Sequence, residues 1–165
     1  MPIAMEIAYL CRMRLSEVLD FTDGDELPEG LHIHRRKGSK DNITEWSPGL
    51  ENTWKAAKEM RNKILTKKRI QAQFKPENRH IFISERTGDR LVVSSLKTAK
   101  SRIDQQATKK AKELGIEFVH FTFHDLKRKG VTDTTGNKQE ASGHRNSSML
   151  NIYDVKPGLV RPAGE

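Results

Sequence analysis

Apolar positions recur at helical spacing from the start of the chain: Ile3, Ile7, Leu10, Leu15, Val18 and Leu19 fall near one face and predict a single opening helix. An acidic turn follows from Asp20 to Glu29, punctuated by Gly24, Pro28 and Gly30. Leu31 to Arg35 and Ile43 to Trp46 then alternate apolar with polar residues, and the turn between them, Lys37-Gly38-Ser39-Lys40-Asp41-Asn42, makes the pair a β-hairpin. Ser47-Pro48 is a helix start, a capping hydroxyl followed by proline at the first helical position. Leu50, Trp54, Ala57, Met60 and Ile64 form the inner stripe of that helix, and Lys55, Lys58, Arg61, Lys63, Lys67, Lys68 and Arg69 its basic outer face.

Farther on, Ile81-Phe82-Ile83 reads as a short strand. Ser94 or Ser95 caps a helix with Leu96, Ile103, Ala107, Ala111 and Leu114 inward, ended by Gly115. Phe121 to Asp125 leads into a helix reaching about Thr132, followed by short helices around Gln139 and from Ser147 to Tyr153. Residues 154–165 read as a loose tail. The pattern predicts an α+β domain, mainly helical, with a small antiparallel hairpin at one edge. Its 165 residues suit one packed core, and the immediate helical start at Met1 suggests a domain excised from a longer chain.

Charge changes the picture more than length does. Thirty Lys and Arg face 22 Asp and Glu, for a net charge of +8. The isoelectric point near 9.7 prompts a search for nucleic-acid contacts, although basic helix faces are most often solvated surface. Cys11 is the single cysteine, so no internal disulfide forms, and a buried thiol is its plain reading. With no signal segment and no apolar run long enough for a membrane span, a reducing, cytoplasmic setting is expected. The six histidines are scattered and give no zinc-ligand spacing. His32 and His34 share one face of a strand and read as exposed strand polars. No cofactor or metal is expected.

The informative chemistry lies in an ordered set. Arg14 stands with Glu17 one turn on, Lys37 sits in the hairpin turn, and His124 is followed three residues later by Lys127. Gly143-His144 comes next, with Tyr153 nine residues beyond that histidine. Breaking a DNA phosphodiester without metal needs a nucleophile, cations for the non-bridging oxygens, a proton source for the leaving oxygen and imidazoles to move protons. With a pKa of about 10, only roughly one tyrosine in a thousand is ionised at neutral pH, so the attacking phenol must be deprotonated in the step.

This order resembles the catalytic domain of the tyrosine recombinases, most of all the phage-type integrases. Their pattern is an Arg-x-x-Glu helix, a lysine in a hairpin turn, a His-x-x-Arg box, a Gly-His pair and a tyrosine nine residues later. Each motif alone is weak, and their joint order spans essentially the whole chain. The resemblance implies that Tyr153 attacks the scissile phosphate to form a 3′-phosphotyrosyl link, which conserves bond energy for rejoining. It implies that Arg14 holds non-bridging oxygens in a fork, that Lys37 protonates the 5′-oxygen, that His144 bonds the phosphate and that His124 helps take the tyrosine proton. Partners implied are double-stranded DNA, further copies forming a homo-tetramer on paired sites, and accessory DNA-bending proteins. A bacterial or phage-encoded, nucleoid-associated protein follows, with a separate N-terminal DNA-binding domain that nothing here matches.

One position departs from the pattern. Lys127 stands where the family has its second arginine, with Arg128 beside it. Lysine keeps the charge and loses the fork, and Arg128 is rotated by about 100° on a helix. A working lysine variant, a local shift recruiting Arg128, and a degenerate DNA-binding remnant stay open. So does relaxation of DNA of the type IB topoisomerase kind. Read singly, each residue has a plainer account: Arg14 paired with Glu17, Lys37 solvated, His124 at a core edge capping the next helix, Tyr153 packing near Leu150.

Overall fold

A computed structural model describes residues 2–36 and 39–146, with Ser148 and Ile152. The opening periodicity builds two helices rather than one: α1 (Pro2–Leu10) and α2 (Leu15–Val18). Between them Arg12 takes a left-handed backbone, φ 52°, and Arg14 is extended at φ −76°, ψ 153°. The apolar spacing continues across this break because both helices face the same core. Cys11 and Met13, inside the break, are as buried as Ile7 and Ala8. A 3₁₀ turn, Asp23–Asp25, follows.

The hairpin forms as its alternation predicts. β1 (Gly30–Ile33) and β2 (Asn42–Glu45) are antiparallel, with Leu31 opposite Thr44 and His32 opposite Ile43. Leu31 and Ile33 point into the core, fully buried. α3 (Pro48–Lys68) begins where Ser47 Oγ accepts the Leu50 N–H at 3.2 Å. Its inner stripe holds Leu50, Trp54 and Ala57, with Trp54 edge-on to Phe21 at 5.3 Å between ring centroids. Arg61, expected on the outer face, is instead buried, because Asp23 of the 3₁₀ turn meets its guanidinium at 2.7 Å.

Ile81 and Phe82 are buried as expected, but the stretch forms no regular strand: the residues flanking them make isolated bridges, His80 to Thr22 and Ile83 to Arg90. α4 (Val93–Leu114) ends on left-handed Gly115. It starts at an N-cap Val92 rather than at a serine, and Ile103 and Leu114 are exposed rather than inward. α5 (Phe123–Asp133) is capped by Thr122, whose hydroxyl accepts the Asp125 N–H while Asp125 accepts the Thr122 N–H. The cap is therefore Thr122 and not His124. α5 packs directly on α1, and Gly130 makes that possible: a Cβ there would lie 2.3 Å from the Tyr9 carbonyl oxygen. α6 (Lys138–Ser142) completes the described core. The helix expected from Ser147 to Tyr153 and the tail at 154–165 lie outside the described residues, apart from helical Ser148 and Ile152. Among the described residues no helix is long and apolar enough to cross a membrane.

Candidate active site

The Arg14-x-x-Glu17 spacing works as a helix start. Arg14 is the N-cap of α2, and Glu17, three residues in, reaches back to accept both the Arg14 N–H at 2.8 Å and its guanidinium at 2.7 Å. One carboxylate thereby fixes the backbone and the side chain of the same arginine. The Glu17 side chain is fully buried while the Arg14 side chain keeps 22% exposure, so the cation is anchored from below and open above.

Glu17 also gathers other positive groups. It accepts the Arg36 N–H at 3.2 Å, and the buried Arg35 guanidinium lies 3.5 Å from its other oxygen. Burial pushes its pKa up, but the Arg14 N–H, the Lys127 charge and the two guanidiniums outweigh that, and the net shift is downward. Glu17 is a buried anion at neutral pH with cations around it.

Arg35 is the residue that the motif reading missed. Its Nη1 donates to the Arg12 carbonyl at 2.7 Å, and its Nη2 to the Cys11 carbonyl at 3.0 Å and the Ala141 carbonyl at 3.2 Å. It therefore ties the α1–α2 break, the strand end and α6 together. The signal was present: Leu31, Ile33 and Arg35 share one phase of the two-residue strand period, which points Arg35 inward. A charged residue in phase with two buried aliphatics marks a buried ion site.

Lys127 is fully buried on the inner face of α5. Loss of hydration, then the Arg35 charge, with Arg14 adding to them against Glu17, lowers its pKa from 10.5 to about 7. Arg128, the alternative cation, is not turned into this cluster: it donates to the Ile152 carbonyl at 3.1 Å. The register is therefore unshifted, and lysine occupies the position.

His144 follows the left-handed end of α6. Gly143 has φ 71°, and a Cβ on it would lie 2.5 Å from the Lys40 carbonyl oxygen, so glycine is needed on both counts. Lys40 N–H donates to the Gly143 carbonyl at 2.8 Å, fastening the hairpin to the segment that carries the histidine. The buried imidazole has Nδ1 2.7 Å from Ser142 Oγ. That hydroxyl also reaches the Gln139 carbonyl at 3.2 Å, and its one proton can serve only one of them, so the hydroxyl rotor and the His144 tautomer are linked. Burial first, then Lys127, Arg14 and Arg35, lowers the His144 pKa to about 4, making it a neutral imidazole at pH 7.

His124 is exposed on the first turn of α5 and shares with Arg14 the wall of a cleft of about 550 Å³. Arg14, Lys127 and His144 are thus brought together around Glu17 and Arg35, and His124 is set beside Arg14 along the cleft. Lys37 and Tyr153 lie outside the described residues.

The phage integrase family model matches residues 2–156. The chain belongs to the phage integrase family. Two solved structures share the fold of this integrase-family chain. The crystal structure of XerA recombinase superposes with a TM-score of 0.62 at 19% identity, over 92% of this chain and 52% of that one. The Tn1549 transposon integrase, solved in complex with circular intermediate DNA, gives 0.65 at 16% identity, over 94% of this chain and 53% of that one. The chain spans about half the length of each. No curated protein sequence matches it.

Proposed function

We propose that this chain is the catalytic domain of a site-specific recombinase that cleaves and rejoins double-stranded DNA through a 3′-phosphotyrosyl intermediate on Tyr153. The observation that carries the reading is the Glu17-centred cluster. Among the described residues it sets the Arg14 and Arg35 guanidiniums, the Lys127 amine and the neutral His144 imidazole around a single carboxylate. That is a surplus of positive charge with Arg14 open to an incoming anion, and a phosphodiester is the anion that the family works on. Arg14 is assigned the forked contact to non-bridging oxygens and His144 a hydrogen bond to the same phosphate. His124, beside Arg14 on the cleft wall, assists removal of the tyrosine proton. Lys37, on the hairpin that Lys40 fastens to Gly143, protonates the leaving 5′-oxygen. Copies of the chain assemble as a tetramer on two double-stranded sites, and the Tn1549 complex supports a DNA partner.

Lys127 gives this reading a pH signature. A lysine held near 7 is only about half protonated in the DNA-free site at neutral pH, whereas arginine there would stay charged. Phosphate contact needs the protonated form, so cleavage efficiency falls as pH rises above about 7. Replacing Lys127→Arg removes that alkaline limb. Stability moves the other way: the folded state holds this proton less tightly than the unfolded chain, so Lys127 makes the fold more stable as pH rises from about 7 toward 10.5. Cleavage of a nicked duplex followed from pH 6 to 9 in both proteins tests this. A parallel profile in the arginine variant contradicts a phosphate-binding Lys127. Salt-sensitive DNA binding without cleavage in either protein supports the remnant reading, and relaxation of plasmid DNA without site preference supports the topoisomerase-like one.

A further inference from the structure

A second cluster of ligating side chains lies on the strand that leads to the hairpin turn, outside the site described above. His32 and His34 share a face at the end of β1, their rings edge-to-face with centroids 4.2 Å apart. The structure adds a carboxylate from a different element: Asp25, at the end of the 3₁₀ turn, is buried. One ligand atom from each of Asp25, His32 and His34 lies within 4.8 Å of the others.

The two Asp25 oxygens have separate duties. Oδ2 accepts the Thr22 N–H at 2.7 Å and the Thr22 hydroxyl at 3.0 Å, which locks the carboxylate. Oδ1 is turned outward to His34 Nε2, 3.1 Å away. Two donors each about 2.0–2.2 Å from one ion in tetrahedral geometry stand about 3.3–3.6 Å apart, so a shift of a few tenths of an ångström would seat an ion between them. The other nitrogen of the same ring, Nδ1, lies 3.4 Å from Asp41 Oδ2. A carboxylate behind an imidazole, on the side away from the ion, is the support that metal-bound histidines commonly have. An ordinary His34–Asp25 ion pair accounts for the 3.1 Å contact. It accounts neither for His32 converging on the same point nor for a second carboxylate on the far side of His34.

We propose that Asp25, His32 and His34 bind one divalent transition-metal ion, with water completing the coordination. Two imidazoles and one carboxylate suit zinc, cobalt or nickel and not the all-oxygen preference of magnesium or calcium. Bound there, the ion would pin the end of β1 to the Asp23–Asp25 turn, with His34 three residues ahead of Lys37. The inference is independent of the recombination chemistry and is tested without it.

The test uses the whole chain and two readouts: the visible absorption of bound Co²⁺, and competition for Zn²⁺ against a chromophoric chelator. One equivalent binds, and His32→Gln and His34→Gln each weaken it by at least about tenfold. His34 is largely exposed, so its replacement leaves the fold intact, which far-ultraviolet circular dichroism checks. Asp41→Asn, which removes no ligand, weakens binding about 10- to 100-fold. His120→Gln removes a histidine that faces a carboxylate elsewhere, Asp104 at 4.0 Å, and leaves binding unchanged. Absence of Co²⁺ binding in the unmodified chain, or unchanged affinity in both His32→Gln and His34→Gln, overturns the proposal.

Discussion

Replacing Glu17 by glutamine lowers the unfolding free energy by about 3–5 kcal/mol, the cost of leaving buried positive groups without their counter-charge. The side chain is fully buried and stands against the Arg14 and Arg35 guanidiniums. Glutamine keeps the volume and removes the charge, so the Arg35 guanidinium loses its counter-charge and the buried Lys127 amine is pushed toward its neutral form. Urea denaturation reads the loss as a lower midpoint at unchanged slope. Removing the buried amine as well, in a Glu17→Gln, Lys127→Met double variant, returns part of the loss, because the two residues are coupled. A double variant no better than the single one contradicts the cluster. Acid acts in the same direction: the Glu17 pKa is depressed, so its stabilisation is complete above the ordinary carboxylate range and is lost as pH falls through the folded-state value.

Arg14→Lys costs about 100- to 1000-fold in the rate of strand cleavage while duplex binding changes little. The charge survives but the planar fork does not, and a single ammonium cannot hold two non-bridging oxygens as they gain charge. The lysine must also replace the guanidinium contact with Glu17, which points its only nitrogen down rather than out. Arg14→Ala adds a second effect, flattening the dependence of binding on salt by about one phosphate contact. Single-turnover cleavage and salt-titrated binding separate the two. Cleavage at the unmodified rate in Arg14→Lys contradicts the forked role.

Much of this was legible in the sequence where local chemistry decides the outcome. Ser47-Pro48 starts α3 and the alternation around Lys37 makes the hairpin, because a cap and a two-residue period act within a few residues. Gly143 was visible as part of a Gly-His pair, and its left-handed φ and the nearby Lys40 carbonyl give the reason. The break between α1 and α2 was hidden, since Arg12 takes a left-handed backbone that glycine usually signals. Arg61 misled, and Arg35 was passed over although its strand phase pointed it inward. Each is buried by an acceptor distant in sequence, Asp23 in one case and the Cys11 and Ala141 carbonyls in the other. Asp25 escaped notice beside His32 and His34 because it arrives from another element. On α4, the apolar residues Ile103 and Leu114 fit a helical stripe that the fold leaves exposed.

Covalent trapping on a nicked duplex taken from DNA flanking the gene tests the central claim most directly. Loss of the short fragment beyond the nick prevents religation and holds the enzyme on the 3′ end. The account predicts a protein–DNA adduct that survives denaturant, maps by peptide mass to Tyr153 and is absent in Tyr153→Phe. An adduct of equal yield in Tyr153→Phe, or no adduct from a chain that binds the same duplex, would contradict it.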